Sequence, residues 1–244
     1  MALKINNLTK IYKNGRGIKE VSFQVNEGDI YGLLGPNGSG KTTTMKIITG
    51  LIPAYQGEVE IFGKSIEKYG ERSLEEVGCL IEAPAVYDYL SARKNLEIAA
   101  EYYSKVKAPQ IKHILEQTGL IKYQYDKVKE FSLGMKQRLG LALALLSNPK
   151  LVILDEPANG LDIEGMVDIR EIIVREAKAN GTTFLISSHL AHELEIICSK
   201  VAIMKEGQLF KTATMEEVIN ESGTLEKYFL KTVESGRRDL YEND

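Results

Sequence analysis

The run Gly35-Pro36-Asn37-Gly38-Ser39-Gly40-Lys41-Thr42 limits what this chain can fold into more than any other stretch of it. It fits the pattern G-x-x-x-x-G-K-[ST], follows the apolar run Ile30 to Leu34 and precedes a helical stretch, Thr43 to Thr49. That strand, loop and helix order is the setting the pattern requires. Glycines let successive backbone N–H groups turn inward onto phosphate oxygens, and the helix that follows points its positive end at the same anion. The pattern predicts that Lys41 bridges the β- and γ-phosphates of a nucleotide and that the Thr42 hydroxyl ligates Mg²⁺.

A second element has the same logic. Leu151-Val152-Ile153-Leu154-Asp155-Glu156 is an apolar strand ending in two acids. Carboxylates at the C-terminal end of a strand reach the crevice where α/β proteins bind ligands. There Asp155 can hold Mg²⁺ through its water shell, and Glu156 can polarise an attacking water.

The patterning around these elements predicts an α/β fold. Val21, Phe23 and Val25 alternate with polar residues, as in a strand with one dry face, and Val59 to Phe62 reads as a short strand. Ile30 to Leu34, Leu151 to Leu154 and Thr183 to Ile186 are apolar without alternation, as in central strands of a parallel sheet covered on both faces. Between them Met166, Ile169, Ile173 and Ala177 are spaced as one face of a helix ending near Asn180-Gly181. Strands alternating with helices imply a doubly wound sheet. From about Ala83 to Asn148 the period is helical, at Leu96, Ala99, Ala100 and Tyr103 and then at Ile111, Ile114 and Leu115, which predicts a helical insertion between sheet strands. Lys231 to Asp244 is charged and poor in apolar residues and reads as a solvated tail.

Composition excludes other classes. No apolar run approaches the 18 or more residues of a membrane-spanning helix, and the start of the chain has no secretory signal pattern. With 31 Lys and Arg against 34 Asp and Glu, the net charge of −3 argues against a nucleic-acid partner and gives no reason for adhesion to acidic lipid. Cys79 and Cys198 are single and far apart, which fits two reduced thiols rather than a disulfide or a zinc site.

Taken together, the motifs resemble the ATP-binding subunits of ABC transporters from about residue 3 to residue 215. After the phosphate loop comes Phe131-Ser132-Leu133-Gly134-Met135-Lys136-Gln137-Arg138, similar to that family's signature L-S-G-G-Q-x-Q-R. Asn159-Gly160-Leu161-Asp162 resembles its D-loop, and Ser187-Ser188-His189 its switch histidine after an apolar strand. Tyr12 sits where the family keeps an aromatic that stacks on adenine.

The resemblance implies a P-loop ATPase fold with a parallel core sheet, an N-terminal antiparallel β subdomain and a helical insertion. It implies ATP and Mg²⁺ as cofactors, with Gly35, Pro36, Asn37, Gly38, Ser39, Gly40, Lys41, Thr42 and Thr43 around the phosphates. It also implies that Ser132, Gly134 and Met135 cap the γ-phosphate of ATP held by a second subunit, and that Asp162 links the two sites across a dimer. His189 would hydrogen-bond the γ-phosphate and the water. The expected outline is one domain over 1–244: a nucleotide-binding core at about 1–82 and 149–215, a helical part at about 83–148, and a C-terminal helix with charged tail at about 216–244.

Two positions depart from the family pattern. Where most members have Gln at the end of the strand leading into the insertion, this chain reads Cys79-Leu80-Ile81-Glu82-Ala83-Pro84. Glu82 keeps an oxygen for Mg²⁺ or the water, lacks an amide donor and adds negative charge beside a phosphate. Leu133 and Met135 replace Gly and Gln in the signature. Glu at that position with an S-L-G-M-K signature is similar to the branch of bacitracin-resistance and lantibiotic-immunity ATPases. That similarity implies a second ATPase subunit, a separate membrane permease that keeps the chain at the inner face of the cell membrane, and export of a peptide antibiotic. The alternatives are a permease with another cargo, an ABC-type ATPase of translation or repair, and a nucleotide switch without turnover. The retained Lys41, Asp155, Glu156 and His189 speak against the last.

Overall fold

The computed structural model describes residues 1–104 and 106–241. Two sheets organise the chain. Strands β1 (Leu3–Ile11), β2 (Gly17–Val25), β4 (Gln56–Ile61) and β5 (Lys64–Ser65) form an antiparallel sheet in the order β2-β1-β4-β5. Strands β3 (Ile30–Leu34), β6 (Val77–Leu80), β7 (Leu151–Asp155), β8 (Thr183–Ser188), β9 (Lys200–Lys205) and β10 (Gln208–Thr214) form the second, in the order β10-β9-β3-β8-β7-β6. All its pairings are parallel except that of the edge strand β10 with β9.

The unalternating apolar strands are explained by two cores, one on each face of this sheet. Val152 and Leu154 of β7 pack into one core, while Leu151 and Ile153 pack into the other. Phe184 and Ile186 of β8 likewise face away from Leu185. A strand buried on both sides has no polar face to alternate with. The helix α1 (Lys41–Ile48) and the antiparallel sheet close the second core, through Met45, Ile47, Ile48, Leu3 and Val21.

The remaining helices are α2 (Ile66–Tyr69), α3 (Ala92–Ala100), α4 (Ala108–Gln117), α5 (Leu133–Leu145), α6 (Ile163–Asn180), α7 (Ala191–Ile197), α8 (Met215–Ser222) and α9 (Leu225–Tyr241). Helices α3, α4 and α5 make up the stretch between β6 and β7, and Leu96, Ile114, Leu115, Leu139 and Leu145 bury their contact with the first core. Helix α6 ends where Gly181 turns left-handed, at φ 65°, as the Asn-Gly pair predicts. The long helix α5 is apolar on nearly every side because it is enclosed. Its Gly140 is required by a close approach: a Cβ there would lie 2.8 Å from Pro84 Cγ.

Two expectations are corrected. The stretch from Lys231 does not begin as a solvated tail, because α9 continues through it to Tyr241 and buries Val233; the side chains beyond 234 and residues 242–244 lie outside the described ones. Leu225, Tyr228, Phe229 and Val233 recur at helical spacing, and this stripe docks on the first core with Leu225, Tyr228 and Val233 buried. The charges on the other face hid the stripe. Tyr103 does not continue the face of α3, which ends at Ala100; its ring lies in the following turn, exposed. Val233→Asp should lower the free energy of unfolding by about 1–3 kcal/mol in a urea titration, whereas a solvated tail would leave it unchanged.

Candidate functional site

The parallel register of the central strands decides which polar side chains meet. Leu34 of β3 stands opposite Ser188 of β8, and Ser187 stands opposite Asp155 of β7. The loop after β3, the acids closing β7 and Ser187 to His189 after β8 therefore open on one crevice, at the carboxyl ends of the strands.

The loop wraps tightly before α1. Gly40, at φ 104°, takes a conformation that L side chains rarely adopt, and a Cβ there would sit 2.4 Å from Ile18 Cγ2. Lys41 opens α1 and is nearly enclosed, at 4% exposure. Its ammonium donates to Gly35 O at 2.7 Å and Pro36 O at 3.2 Å, and pairs with Glu156 Oε1 at 3.2 Å. The other carboxylate oxygen, Glu156 Oε2, lies 2.8 Å from His189 Nδ1. Since a carboxylate only accepts, that ring nitrogen carries the proton.

A second line of contacts runs beneath the first. Buried Asp155 accepts from Thr42 Oγ1 at 2.8 Å and from Ser187 Oγ at 2.6 Å. Ser187 Oγ in turn accepts the Glu156 N–H at 2.9 Å. That bond holds Glu156 in a left-handed backbone, φ 48°, a strain of the kind that persists where surrounding structure enforces it. Lys41, Thr42, Asp155, Glu156 and His189 are thus joined by direct contacts, with Ser187 as the unforeseen link. The sequence shows only a hydroxyl closing an apolar run; that it stands level with Asp155 follows from the strand register.

This arrangement suits phosphate and a small hard cation. Thr42 and Asp155 offer adjacent oxygens, the donor type Mg²⁺ selects. Among the described residues no group of three or more His, Cys, Asp or Glu forms a metal cage. Mg²⁺ fits such a sparse site, because it keeps waters and substrate phosphate oxygens as its remaining ligands. Glu156 now provides the negative partner of Lys41, so an incoming phosphate must compete with it for that ammonium. Both thiols are free, and burial pushes that of Cys198 far above its usual range.

Other expected site residues lie apart from this network. Ser132 caps α5 by accepting the Met135 N–H at 3.2 Å, and Asp162 caps α6 by accepting the Gly165 N–H at 2.9 Å. Leu133 is half exposed and lies close to Gly160, so the segment around Gly134 and the loop before α6 are neighbours in the same chain. No hydrogen bond or ion pair among the described residues joins Ser132, Gly134 or Met135 to the Lys41 group. Tyr12 lies in the β1–β2 turn with its ring exposed, outside both cores, and Lys10 Nζ lies 5.6 Å from the ring centroid. Pro36, Asn37 and Gly38 are exposed around the loop, Ser39 is buried in it, and Thr43 is half-buried in the first turn of α1. Glu82 is held by Lys46 of α1, Nζ to Oε1 at 2.7 Å. Lys46 was not foreseen from the sequence.

A family model described as "ABC transporter" matches residues 18–159. The bacitracin transport ATP-binding protein BcrA of Bacillus licheniformis is 43% identical over 209 residues, covering 86% of this chain and 68% of that protein. The lantibiotic transport ATP-binding protein SrtF of Streptococcus pyogenes is 39% identical over 227 residues, covering 93% of this chain and 95% of that one. A solved structure described as an ATP-binding subunit of an ABC transporter superposes with a TM-score of 0.84 at 28% identity, covering 96% of this chain and all of the other.

The network makes one structural demand that can be measured. Ser187→Ala leaves Asp155 and the Glu156 N–H each short of a partner, and should lower the unfolding free energy by about 1–3 kcal/mol in denaturant titration.

Proposed function

The chain belongs to the ABC transporter family as an ATP-binding subunit and is an ATPase, and from this we propose that two copies close around two ATP molecules to drive a separate membrane permease. Among the described residues no helix is long and apolar enough to cross a membrane, so the transport path would be the partner's. Docking to that permease would hold the chain at the cytoplasmic face of the cell membrane. The cargo we propose is a peptide antibiotic, of the bacitracin or lantibiotic kind named for BcrA and SrtF.

One observation carries the mechanism: Glu156 touches Lys41 with one oxygen and His189 with the other. Lys41 would pass from Glu156 to the β- and γ-phosphates as ATP enters, with the amides of Gly38 to Thr43 around the same oxygens. Thr42 and Asp155 would hold Mg²⁺, which when bound would neutralise charge on the phosphates. The released Glu156 carboxylate then accepts a proton from water placed against the γ-phosphate, while His189 orients that water or the phosphate. Tyr12 would stack on the adenine, and Glu82 would contact Mg²⁺ or the water.

Ser132, Gly134 and Met135 would complete the site of the partner subunit, and Asp162 would link the two sites. The absence of direct contact between these residues and the chain's own Lys41 group favours sharing. The helical part, 83–148, lies between β6 and β7 and would carry the motion of closure toward the permease.

Glu156→Gln keeps the shape of the site and removes the base. Hydrolysis should fall by about 10²- to 10⁴-fold while MgATP binding persists, with ATP-dependent dimers visible by light scattering. Near-normal turnover would remove Glu156 from the role of base.

A further inference from the structure

The carboxylate that stands in place of a glutamine at position 82 brings a charge into a site that must receive a polyanion. Asp155 and Glu156 touch Thr42 and Lys41 directly, and Glu82 leaves β6 at the same end of the sheet, where Leu80 stands opposite Leu154 of β7; Lys41 is the cation already committed to Glu156. Left alone, Glu82 would repel ATP. It is not left alone: Lys46 Nζ lies 2.7 Å from its Oε1.

Three features separate this pair from an incidental surface contact. Lys46 lies four residues beyond Thr42 on α1, so the two side chains share a face of the helix that begins at the phosphate loop. Glu82 holds a left-handed backbone, φ 62°, which a non-glycine residue adopts only where its surroundings enforce it. The loop that follows is pinned at two further points, by Pro84 against Gly140 of α5 and by Asp88 with Lys136 Nζ at 3.6 Å. The backbone at Glu82 is therefore held at the carboxyl end of β6, and the carboxylate is met there by Lys46. The pair is too exposed to add much to stability, with Glu82 at 63% exposure. Its effect falls on the potential felt by the nucleotide.

We propose that Lys46 is a positioning residue for this ATPase, which neutralises Glu82 and fixes its carboxylate beside the phosphate loop, so that a glutamate can serve there without repelling ATP. The proposal rests on the reading of Gly35 to Thr42 as an ATP site. It also gives the ion pair a mechanical meaning, since it ties the helix of the phosphate loop to the segment entering the helical part.

The test is a double-mutant cycle on the full chain, reading the Kd for MgATP by calorimetry and the KM and kcat of hydrolysis. Lys46→Met should raise Kd and KM by roughly three- to tenfold, the effect of one uncompensated charge near the phosphates. In the Glu82→Gln background the same substitution should change Kd by less than about twofold, because no charge is left to compensate. Lys46→Arg should behave as the parent. Two results would overturn the proposal: an unchanged Kd in Lys46→Met, or an equal weakening with and without Glu82→Gln, which would mean that Lys46 acts on the nucleotide or the fold directly. Failure of the unsubstituted chain to bind MgATP would instead overturn the nucleotide reading, and would show before any variant is compared.

Discussion

Asp155 is a carboxylate at the end of a strand that is buried on both faces, and the rest of the site follows from how it is satisfied. A sheet enclosed by two cores can carry polar chemistry only at its ends. Asp155 meets Ser187 at 2.6 Å and Thr42 at 2.8 Å, so the hydrogen bonds of one side chain tie together β7, β8 and the helix after the phosphate loop. Ser187 passes the constraint on to the Glu156 backbone, and Glu156 passes it to Lys41 and His189. Five loop and strand-end residues thereby acquire fixed relative positions from one buried charge.

The same network defines a resting arrangement. Two loop carbonyls and Glu156 lie within 3.2 Å of Lys41 Nζ, so in the mechanism we propose a triphosphate would replace Glu156 at that ammonium. That replacement would release Glu156, the group we propose as the base, as the phosphate arrives. The segment around Ser132 and Gly134 takes no part in it within one chain, and its helix end faces outward beside Gly160 and Leu161. A site closed by a second copy reconciles that separation with the resemblance of these residues to a phosphate-contacting signature.

Much of this was legible in the sequence because it rests on local rules. The phosphate loop, the apolar runs of β3, β7 and β8 and the glycine stop of α6 each follow from spacing within a few residues. What escaped depends on register and docking. Ser187 matters because it stands level with Asp155, 32 residues away, and Lys46 matters because it meets Glu82, 36 residues further along the chain. Neither relation exists until the strands are paired. A C-terminal helix was expected, but its continuation past Lys231 was not, because the apolar stripe of α9 is narrow and sits among charges there. In the hairpin of β9 and β10, Val201 to Met204 form a buried run of the same kind as β7.

The idea that one complete site needs two chains is tested most directly by mixing two inactive variants. Lys41→Ala removes the phosphate-loop cation and Gly134→Asp blocks the segment expected to face the partner's nucleotide. A mixed dimer of the two retains one site in which both parts are intact. Hydrolysis that is absent from each variant alone and returns on mixing is the expected result for a shared site. A mixture as inactive as its components, formed under conditions where mixed dimers are detected, would contradict it.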